Sequence, residues 1–256
     1  LIPSEMKVAV AHRDYAEPLI EELGDSITES HGRLYFFERE INPLWAQNLW
    51  LEPQRFEFDS ISQAAKHLRG IQRNWSLHST SSHRRASLIQ EQLPPVKKKR
   101  FPFPADLPRS PMGSWTLLDE RTMLYSAACT SPLPDGELEF VENKTEPPSR
   151  AYLKLWEAFA VEHVAPGPGD LVLDLGSSPG GWTWVLEQLG CDVISVDKAP
   201  LALKPSPRVK FIEESAFGLD PDVMGPVTWL FSDVICYPER LLELVKRWRD
   251  ANPSLK

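Results

Sequence analysis

Residues 174–182 read D-L-G-S-S-P-G-G-W, and they join two segments of different periodicity. The preceding segment, Leu171–Leu175, is apolar except for Asp174, as expected of a buried strand. The following segment, Trp182–Leu189, has the periodicity of a helix. Glycines between a strand and a helix let the backbone turn tightly and let a ligand lie against it. The stretch therefore predicts a strand–turn–helix unit with a ligand site at the turn.

An acidic residue follows the next apolar segment at the spacing used in nucleotide-binding sheets. Asp197 ends the segment Val193–Val196 and lies 21 residues after Gly176. In doubly wound folds an acidic side chain at this position accepts hydrogen bonds from ribose hydroxyls. The sequence therefore predicts a cofactor that contains adenosine. The alternative is that Asp174 and Asp197 only cap helices or loops.

The loop sequence and its charge distinguish two classes of adenosine cofactor. A dinucleotide site has the pattern G-x-G-x-x-G, but Ser178 replaces its second glycine here. Asp174, Asp197 and Asp233 end predicted strands, so their carboxylates are expected at one edge of the sheet. Three carboxylates repel a pyrophosphate and attract the sulfonium and ammonium groups of S-adenosylmethionine. We therefore expect S-adenosylmethionine, and a nicotinamide dinucleotide is the less favoured alternative.

Residues 146–256 alternate between predicted strands and helices, which is typical of an α/β domain with a parallel sheet covered on both faces. The predicted helices and strands, in chain order, are 150–161, 171–175, 182–189, 193–196, 209–212, 227–231 and 239–249.

Residues 1–145 read as a smaller α/β region in two parts. In residues 1–75 we expect strands at Lys7–Ala11 and Leu34–Phe37 and a helix capped by Asp59 or Ser60, which suggests a ferredoxin-like unit. In residues 76–145 we expect a helix at 82–93, a hairpin at 114–128 and a proline-rich linker at 145–149.

The charge of the chain is unevenly distributed. The 256 residues carry a net charge of −8, which taken alone argues against a nucleic-acid partner. Residues 66–109, however, contain ten Lys and Arg residues against Glu91 and Asp106, which gives +8 and leaves −16 elsewhere. This stretch predicts an RNA-binding region, with Lys97–Arg100 as a phosphate-contacting loop. The alternative for Lys97–Arg100 is an ordinary solvated run of charge.

Several sequence features bear on the compartment and on metal binding. Cys129, Cys191 and Cys236 lie far apart, and the six histidines show no ligand spacing, so we expect neither a disulfide framework nor a metal site. The start of the chain, residues 1–4, shows no signal-peptide pattern, and no apolar run is long enough to cross a membrane. We therefore expect a cytoplasmic protein without a membrane anchor.

Three motifs together resemble a known family. They are P-S-R-A-Y-L-K-L at 148–155, D-L-G-S-S-P-G-G-W-T at 174–183 and S-D-V at 232–234. The segment that carries them, about 130–256, resembles the FtsJ-like ribosomal RNA 2′-O-methyltransferases. It is most similar to the RlmM type, which methylates a cytidine ribose of 23S rRNA. The resemblance implies a Rossmann-like, S-adenosylmethionine-dependent methyltransferase domain, preceded by ferredoxin-like and THUMP-like RNA-binding regions.

The resemblance also implies catalytic residues. The family uses a Lys-Asp-Lys-Glu set around the target ribose, and Lys154 and Asp233 match its first two members. A lysine whose pKa is lowered by burial or by a neighbouring cation can accept or orient the proton of the 2′-hydroxyl, and no metal is required. The second lysine and the glutamate would lie beyond Asn252–Lys256, and Pro253 argues against Lys256 as that lysine. We therefore expect a carboxyl-terminally truncated domain that binds cofactor but lacks part of its catalytic set.

The expected cofactor contacts are Ala151, Ser178, Pro179, Gly180, Gly181, Trp182, Asp197, Ser215 and Asp233. Trp182 can equally be a core residue. Ser215 stands where relatives have an acidic residue that contacts the adenine, with Glu214 one position away. Two functions remain open: an RNA 2′-O-methyltransferase, or a non-catalytic RNA-binding protein that keeps a cofactor pocket.

Overall fold

The structure, a computed structural model, describes residues 6–110 and 112–256. The expectation about a signal peptide at residues 1–4 lies outside this part of the chain. The chain forms two compact units. The amino-terminal unit contains the residues up to 100 and residues 107–139, and the carboxyl-terminal unit contains residues 101–106 and 140–256.

The elements of the first part of the chain are given in chain order. They are β1 (Lys7–Ala11), α1 (Ala16–Leu23), β2 (Ile27–His31), β3 (Leu34–Phe37), β4 (Ala46–Trp50), β5 (Gln54–Glu57), α2 (Ile61–Ile71), β6 (Trp75–Leu77), α3 (His83–Gln90), β7 (Arg100–Phe101), β8 (Gly113–Leu117), β9 (Thr122–Ser126) and β10 (Glu139–Phe140). β7 and β10 pair with each other, and each crosses the boundary between the units.

The amino-terminal unit consists of four layers. The first sheet has the order β2-β3-β1-β4, is antiparallel, and buries Leu19 and Leu23 of α1 against one face. Its other face packs Trp50 with Leu124 of the second sheet. The second sheet has the order β5-β9-β8-β6, and α2 and α3 cover its outer face. The layers are therefore α1, the first sheet, the second sheet, and the pair α2 and α3.

The strands β1 and β3 and the helix α2 confirm the sequence predictions for this region. The cap of α2 is Ser60, whose Oγ accepts a 3.2 Å hydrogen bond from the Gln63 N–H. Strands β2, β4 and β5 have no counterpart among the predicted elements. In chain order, the first sheet consists of β1, helix α1, β2, β3 and β4. A ferredoxin-like unit has a second helix between its third and fourth strands, and no helix lies in the described segment between β3 and β4 here. The expected boundary at residue 75 falls at the start of β6, inside the second sheet.

The carboxyl-terminal unit continues the chain with α4 (Tyr152–Glu162), β11 (Leu171–Leu175), α5 (Gly181–Gln188), β12 (Asp192–Asp197), β13 (Val209–Glu213), α6 (Pro221–Met224), β14 (Trp229–Ser232) and α7 (Pro238–Ala251). All its strands are parallel and have the order β13-β12-β11-β14. This confirms the predicted α/β alternation, with shifts of one or two residues at most element ends. None of the described helices is long and apolar enough to cross a membrane.

The strand order creates a switch point beside β11. The chain passes from β11 to β12 and β13 on one side and then returns to place β14 on the other side. At such a point the connections after neighbouring strands run in opposite directions, which opens a crevice at the carboxyl ends of the strands. The loops after β11, β12 and β14 carry the residues predicted to form the site.

Candidate active site

The loop after β11 lies against the loop after β14. Gly176 has φ +78°, and a Cβ at this position would lie 3.0 Å from both the Cγ2 and the backbone N of Val234. Gly180 has φ +112°, a conformation that disfavours side chains other than hydrogen. The glycines therefore provide the predicted tight turn, and Gly176 also allows a close approach of two backbone segments, which was not predicted.

The Asp197 carboxylate organises this loop from the end of β12. Its Oδ2 accepts a 2.9 Å hydrogen bond from the Ser178 N–H, and its Oδ1 accepts a 2.9 Å hydrogen bond from the Ala199 N–H. The residue is half-buried, so lone pairs of both oxygens remain available to a ligand. The loop-capping role and the expected ribose contact are thus compatible.

Asp174 is not part of the accessible site, which corrects the expectation that its carboxylate faces the cofactor. Its side chain is fully buried and points toward α5, where the Thr183 hydroxyl donates a 2.6 Å hydrogen bond to Oδ2. The Thr183 hydroxyl oxygen also lies 2.9 Å from the Ser195 hydroxyl oxygen, and Asp174 Oδ1 has no hydrogen-bond partner among the described residues. Burial raises the pKa of Asp174 to about 7, and the Thr183 hydrogen bond lowers it less than burial raises it. The carboxylate is therefore an internal link between β11, α5 and β12.

Lys154 and Asp233 form an ion pair. Lys154 Nζ lies 3.2 Å from Oδ1 and 3.1 Å from Oδ2 of Asp233, so the ammonium is shared by both oxygens. The Lys154 side chain is 62% exposed and its partner is an anion. Lys154 is therefore exposed beside an anion, which differs from the burial or neighbouring cation named for it from the sequence. The geometry suits a lysine that positions a hydroxyl together with the carboxylate.

Lys256 lies away from this pair. Its N–H donates to Thr228 O and its carbonyl accepts from the Leu230 N–H, so it pairs with the beginning of β14. Its Nζ lies 5.3 Å from the centroid of the Trp229 ring, whereas Asp233 follows the other end of β14. Lys256 therefore lies at the opposite end of β14 from Asp233.

Trp182, Gly181 and Ala151 connect the loop to the start of α4. The Trp182 indole N–H donates a 2.9 Å hydrogen bond to the Ala151 carbonyl. A Cβ on Gly181 would lie 2.5 Å from the Ser149 Oγ and 3.3 Å from the Tyr152 N, so a side chain here would displace Ser149 and press on the start of α4. These contacts hold α4, and with it Lys154, next to the loop.

A cleft of about 390 Å³ opens at the carboxyl ends of the strands, within the range of about 300–1,000 Å³ typical of small-molecule sites. Its lining includes four of the nine predicted cofactor contacts: Ser178, Asp197, Ser215 and Asp233. The other five predicted contacts do not line it: Ala151, Pro179, Gly180, Gly181 and Trp182. The lining also contains residues that the sequence analysis did not single out as cofactor contacts: Gly176, Val196, Lys198, Glu214, Ala216, Phe217, Val234, Ile235 and Arg240.

The chemistry of the cleft fits S-adenosylmethionine. Three carboxylates line it, those of Asp197, Glu214 and Asp233, so Glu214 stands where the sequence analysis had counted Asp174. Their charge suits a ligand with a sulfonium and an ammonium group. Phe217 offers an apolar surface for an aromatic base, and the Arg240 guanidinium carbon lies 3.8 Å from the centroid of its ring. Adjacency of Phe217 to Ser215 and Glu214 after β13 is the signal that could have identified it from sequence.

Comparison with known proteins agrees with this geometry. Residues 147–236 match the family described as FtsJ-like methyltransferase. Three relatives share the name Ribosomal RNA large subunit methyltransferase M. The Halorhodospira halophila protein is 40% identical over 106 residues, which cover 40% of this chain and 31% of that protein. The Laribacter hongkongensis protein is 38% identical over 46% of this chain and 35% of its own length, and that of Alkalilimnicola ehrlichii is 42% identical over 40% and 30%.

The chain covers about a third of the length of these relatives. The matches confirm the resemblance that the three sequence motifs indicated. They also confirm S-adenosylmethionine, at the level of the family, as the cofactor of this domain. Residues 147–236 therefore match the FtsJ-like methyltransferase family, and this part of the chain is similar in sequence to the ribosomal RNA large subunit methyltransferases M.

Proposed function

We propose that this protein transfers a methyl group from S-adenosylmethionine to a ribose 2′-hydroxyl of ribosomal RNA, with a 23S rRNA cytidine as the expected target. The observation that carries the proposal is the position of the Lys154–Asp233 pair. Asp233 lines the cofactor cleft, and Lys154 contacts it from α4. A hydroxyl group placed at this pair would lie at the border of the cleft, where a methyl donor would be held.

The roles of the chain's residues follow from their contacts. Asp197 binds ribose hydroxyls of the cofactor, and Phe217 and Ser215 lie at its adenine end. The bound cofactor supplies an electrophilic methyl group. Lys154 Nζ donates to the 2′-oxygen of the substrate, while the Asp233 carboxylate fixes the direction of the ammonium and accepts the hydroxyl proton. Trp182 and Gly181 act indirectly, because they position α4 against the loop.

The test is methyl transfer from tritiated S-adenosylmethionine to ribosomal RNA. It should use the 256-residue chain and, if the gene encodes further residues, its whole product. Lys154→Met and Asp233→Asn should each lower the rate by about 100-fold or more, within the range of general acid–base contributions. Lys246→Met and Asp250→Asn are matched controls, because both residues are exposed on α7 and neither lines the cleft. Full activity of Lys154→Met or Asp233→Asn would refute the role of that residue.

The alternative, a non-catalytic RNA-binding protein with a retained pocket, is less favoured. The names of the relatives are those of methyltransferases. The two functions differ in a simple result: the alternative predicts binding of S-adenosylmethionine and RNA with no transfer by the whole gene product. Such a result would replace the enzyme proposal.

The amino-terminal unit is proposed to hold the RNA substrate. Its basic stretch, 66–109, supports a THUMP-like RNA-binding region, and the β-α-β-β path through β1, α1, β2 and β3 supports a ferredoxin-like region, although the described residues contain no helix between β3 and β4. We also propose a cytoplasmic location, which is supported by three cysteines that are all free. Cell fractionation would test this location, and an exported protein with oxidised cysteines would contradict it.

A further inference from the structure

We propose that the outer faces of α2 and α3 bind the phosphate backbone of the RNA, and that the lysine-rich run at 97–100 is not the main contact. This inference rests on the proposed function, because it takes RNA as the substrate. It assigns the basic stretch a specific surface, which the charge count alone could not do.

The two helices present one continuous outer face. Their inner sides bury Ala64, Leu68, Ala86 and Ile89 in the core cluster of the second sheet. The opposite sides form the outermost layer of the amino-terminal unit. Polar and charged side chains on these sides are therefore available to a partner.

The helices run side by side in the same direction. Near their amino-terminal ends, the guanidinium of Arg85 in α3 lies 5.4 Å from the ring centroid of Phe58, which precedes α2. Near their carboxyl-terminal ends, Arg69 of α2 donates a 3.2 Å hydrogen bond to the Gln92 carbonyl, just after α3. Cations on the two helices therefore belong to one surface about as long as the helices.

This surface is positively charged without internal compensation. Lys66, Arg69 and Arg84 are exposed on the helices, and Arg73 is exposed just after α2. Neither helix contains an acidic residue. Within the described ranges 6–110 and 112–256, Lys66, Arg73 and Arg84 take part in no ion pair, so their charges are not neutralised by the protein.

The run at 97–100 differs in this respect. Lys98 Nζ lies 2.9 Å from a Glu137 oxygen, and Arg100 Nε lies 3.1 Å from a Glu139 oxygen. A phosphate would have to replace these carboxylates, and the freed glutamates would repel it. The most conspicuous basic motif of the sequence is therefore the weaker anion site.

A nucleic-acid backbone fits this surface better than a membrane does. A helix that lies in a membrane interface presents large apolar side chains beside its cations. Among the exposed large apolar residues of the described chain, only Ile71 (42% exposed) and Leu88 (39%) belong to these two helices. Cations without an apolar stripe are typical of phosphate contacts, which position a nucleic acid irrespective of sequence.

The test compares two triple variants with the same loss of charge. Lys66→Gln/Arg73→Gln/Arg84→Gln removes cations from the proposed surface, and Lys97→Gln/Lys98→Gln/Arg100→Gln removes three from the run. Binding of a fluorescent transcript of large-subunit ribosomal RNA is measured as a function of salt, without cofactor. Thermal unfolding should be unchanged in the first variant, because its three side chains have no ion-pair partner to lose.

The expected effects follow from counterion release. The logarithm of the affinity falls with the logarithm of salt by about 0.7–0.9 per phosphate contact, so each contact is worth about 5- to 8-fold at 0.1 M salt. The helix variant should lose about 100- to 500-fold in affinity, and its salt slope should become shallower by about 2 to 3. The run variant should lose less than about 10-fold.

Three results would overturn the inference. They are equal losses in both variants, a larger loss in the run variant, and binding to phosphatidylserine vesicles with no binding to RNA. A wild-type chain that binds RNA through the helices but transfers no methyl group would support this surface and refute the proposed enzyme. If the wild-type chain transfers methyl groups and the helix variant binds RNA as well as the wild type does, the proposed enzyme is supported and the proposed surface is refuted.

Discussion

The buried carboxyl group of Asp174 predicts a pH-dependent stability that one substitution should abolish. Its pKa is raised from 3.8 to about 7 by burial beneath α5. A carboxyl group with a raised pKa in the folded state stabilises the protein fully below the unfolded pKa of 3.8. That stability is lost as the pH rises through about 7, because the unfolded chain releases the proton more easily.

The magnitude follows from the size of the shift. Each pKa unit corresponds to about 1.4 kcal/mol, so ionisation of Asp174 in the folded protein costs about 4 kcal/mol. Part of this cost is already present at pH 5, where the unfolded chain is ionised. Between pH 5 and pH 8 the free energy of unfolding should therefore fall by about 2–3 kcal/mol because of this residue.

Asp174→Asn should remove this pH dependence. Asparagine keeps the shape of the side chain and an oxygen for the Thr183 hydroxyl, but it does not ionise between pH 5 and pH 8. Urea unfolding at several pH values, followed by hydrogen exchange of peptides from β11, measures the free energy of the carboxyl-terminal unit. Any constant cost of the buried amide cancels when the pH trends are compared. Asp250→Asn, at an exposed position of α7, should keep the wild-type trend. Parallel trends for Asp174→Asn and the wild type would refute the reasoning.

Three further substitutions test the geometry of the site. Gly176→Ala should lower S-adenosylmethionine affinity and destabilise the carboxyl-terminal unit by about 1–3 kcal/mol. Gly225→Ala is the control, because Gly225 has a similar φ of +81° but nothing within 4 Å of an added Cβ, so this variant should bear only the backbone strain. Calorimetry measures the affinity, and urea unfolding measures the stability. Asp197→Asn should weaken S-adenosylmethionine binding about tenfold or more, because the single amide oxygen cannot accept hydrogen bonds from the Ser178 and Ala199 N–H groups and also from a ribose hydroxyl. Asp192→Asn, at the other end of β12, should leave the binding unchanged. Trp182→Phe removes the indole donor and should lower the rate of methyl transfer more than it lowers cofactor affinity, because the bond positions α4.

The carboxyl-terminal fold was predictable because its signals are strong and local. Near-continuous apolar strands such as Leu171–Leu175 occur in buried parallel sheets, and glycines mark the turn after them. Asp197 was recognised from its spacing alone. The register of these strands then brings the ends of β11, β12 and β14 together without further information from the sequence.

The direction of a side chain was harder to predict than the position of its residue. Asp174 was counted as a ligand group because it lies near the end of a strand. Successive side chains of a strand alternate between faces, and in β11 this places Asp174 beneath α5 rather than in the cleft. The alternation and the helix were both visible in the sequence, but the face of the sheet that the helix covers was not.

Strands of the amino-terminal unit were missed for a different reason. β2 alternates exposed and half-buried residues at an edge of its sheet, and β5 is mostly exposed. Neither has the apolar content that identifies a strand from sequence. Arg240 was missed because it meets Phe217 in the cleft only through tertiary structure, from a segment more than 20 residues away.

The most direct test of the central claim is the position of the transferred methyl group. The protein is incubated with tritiated S-adenosylmethionine and ribosomal RNA, and the labelled nucleotide is mapped. The account predicts label on a ribose 2′-oxygen, lost in Lys154→Met and kept in Lys246→Met. Label on a base, or equal labelling by both variants, would contradict it.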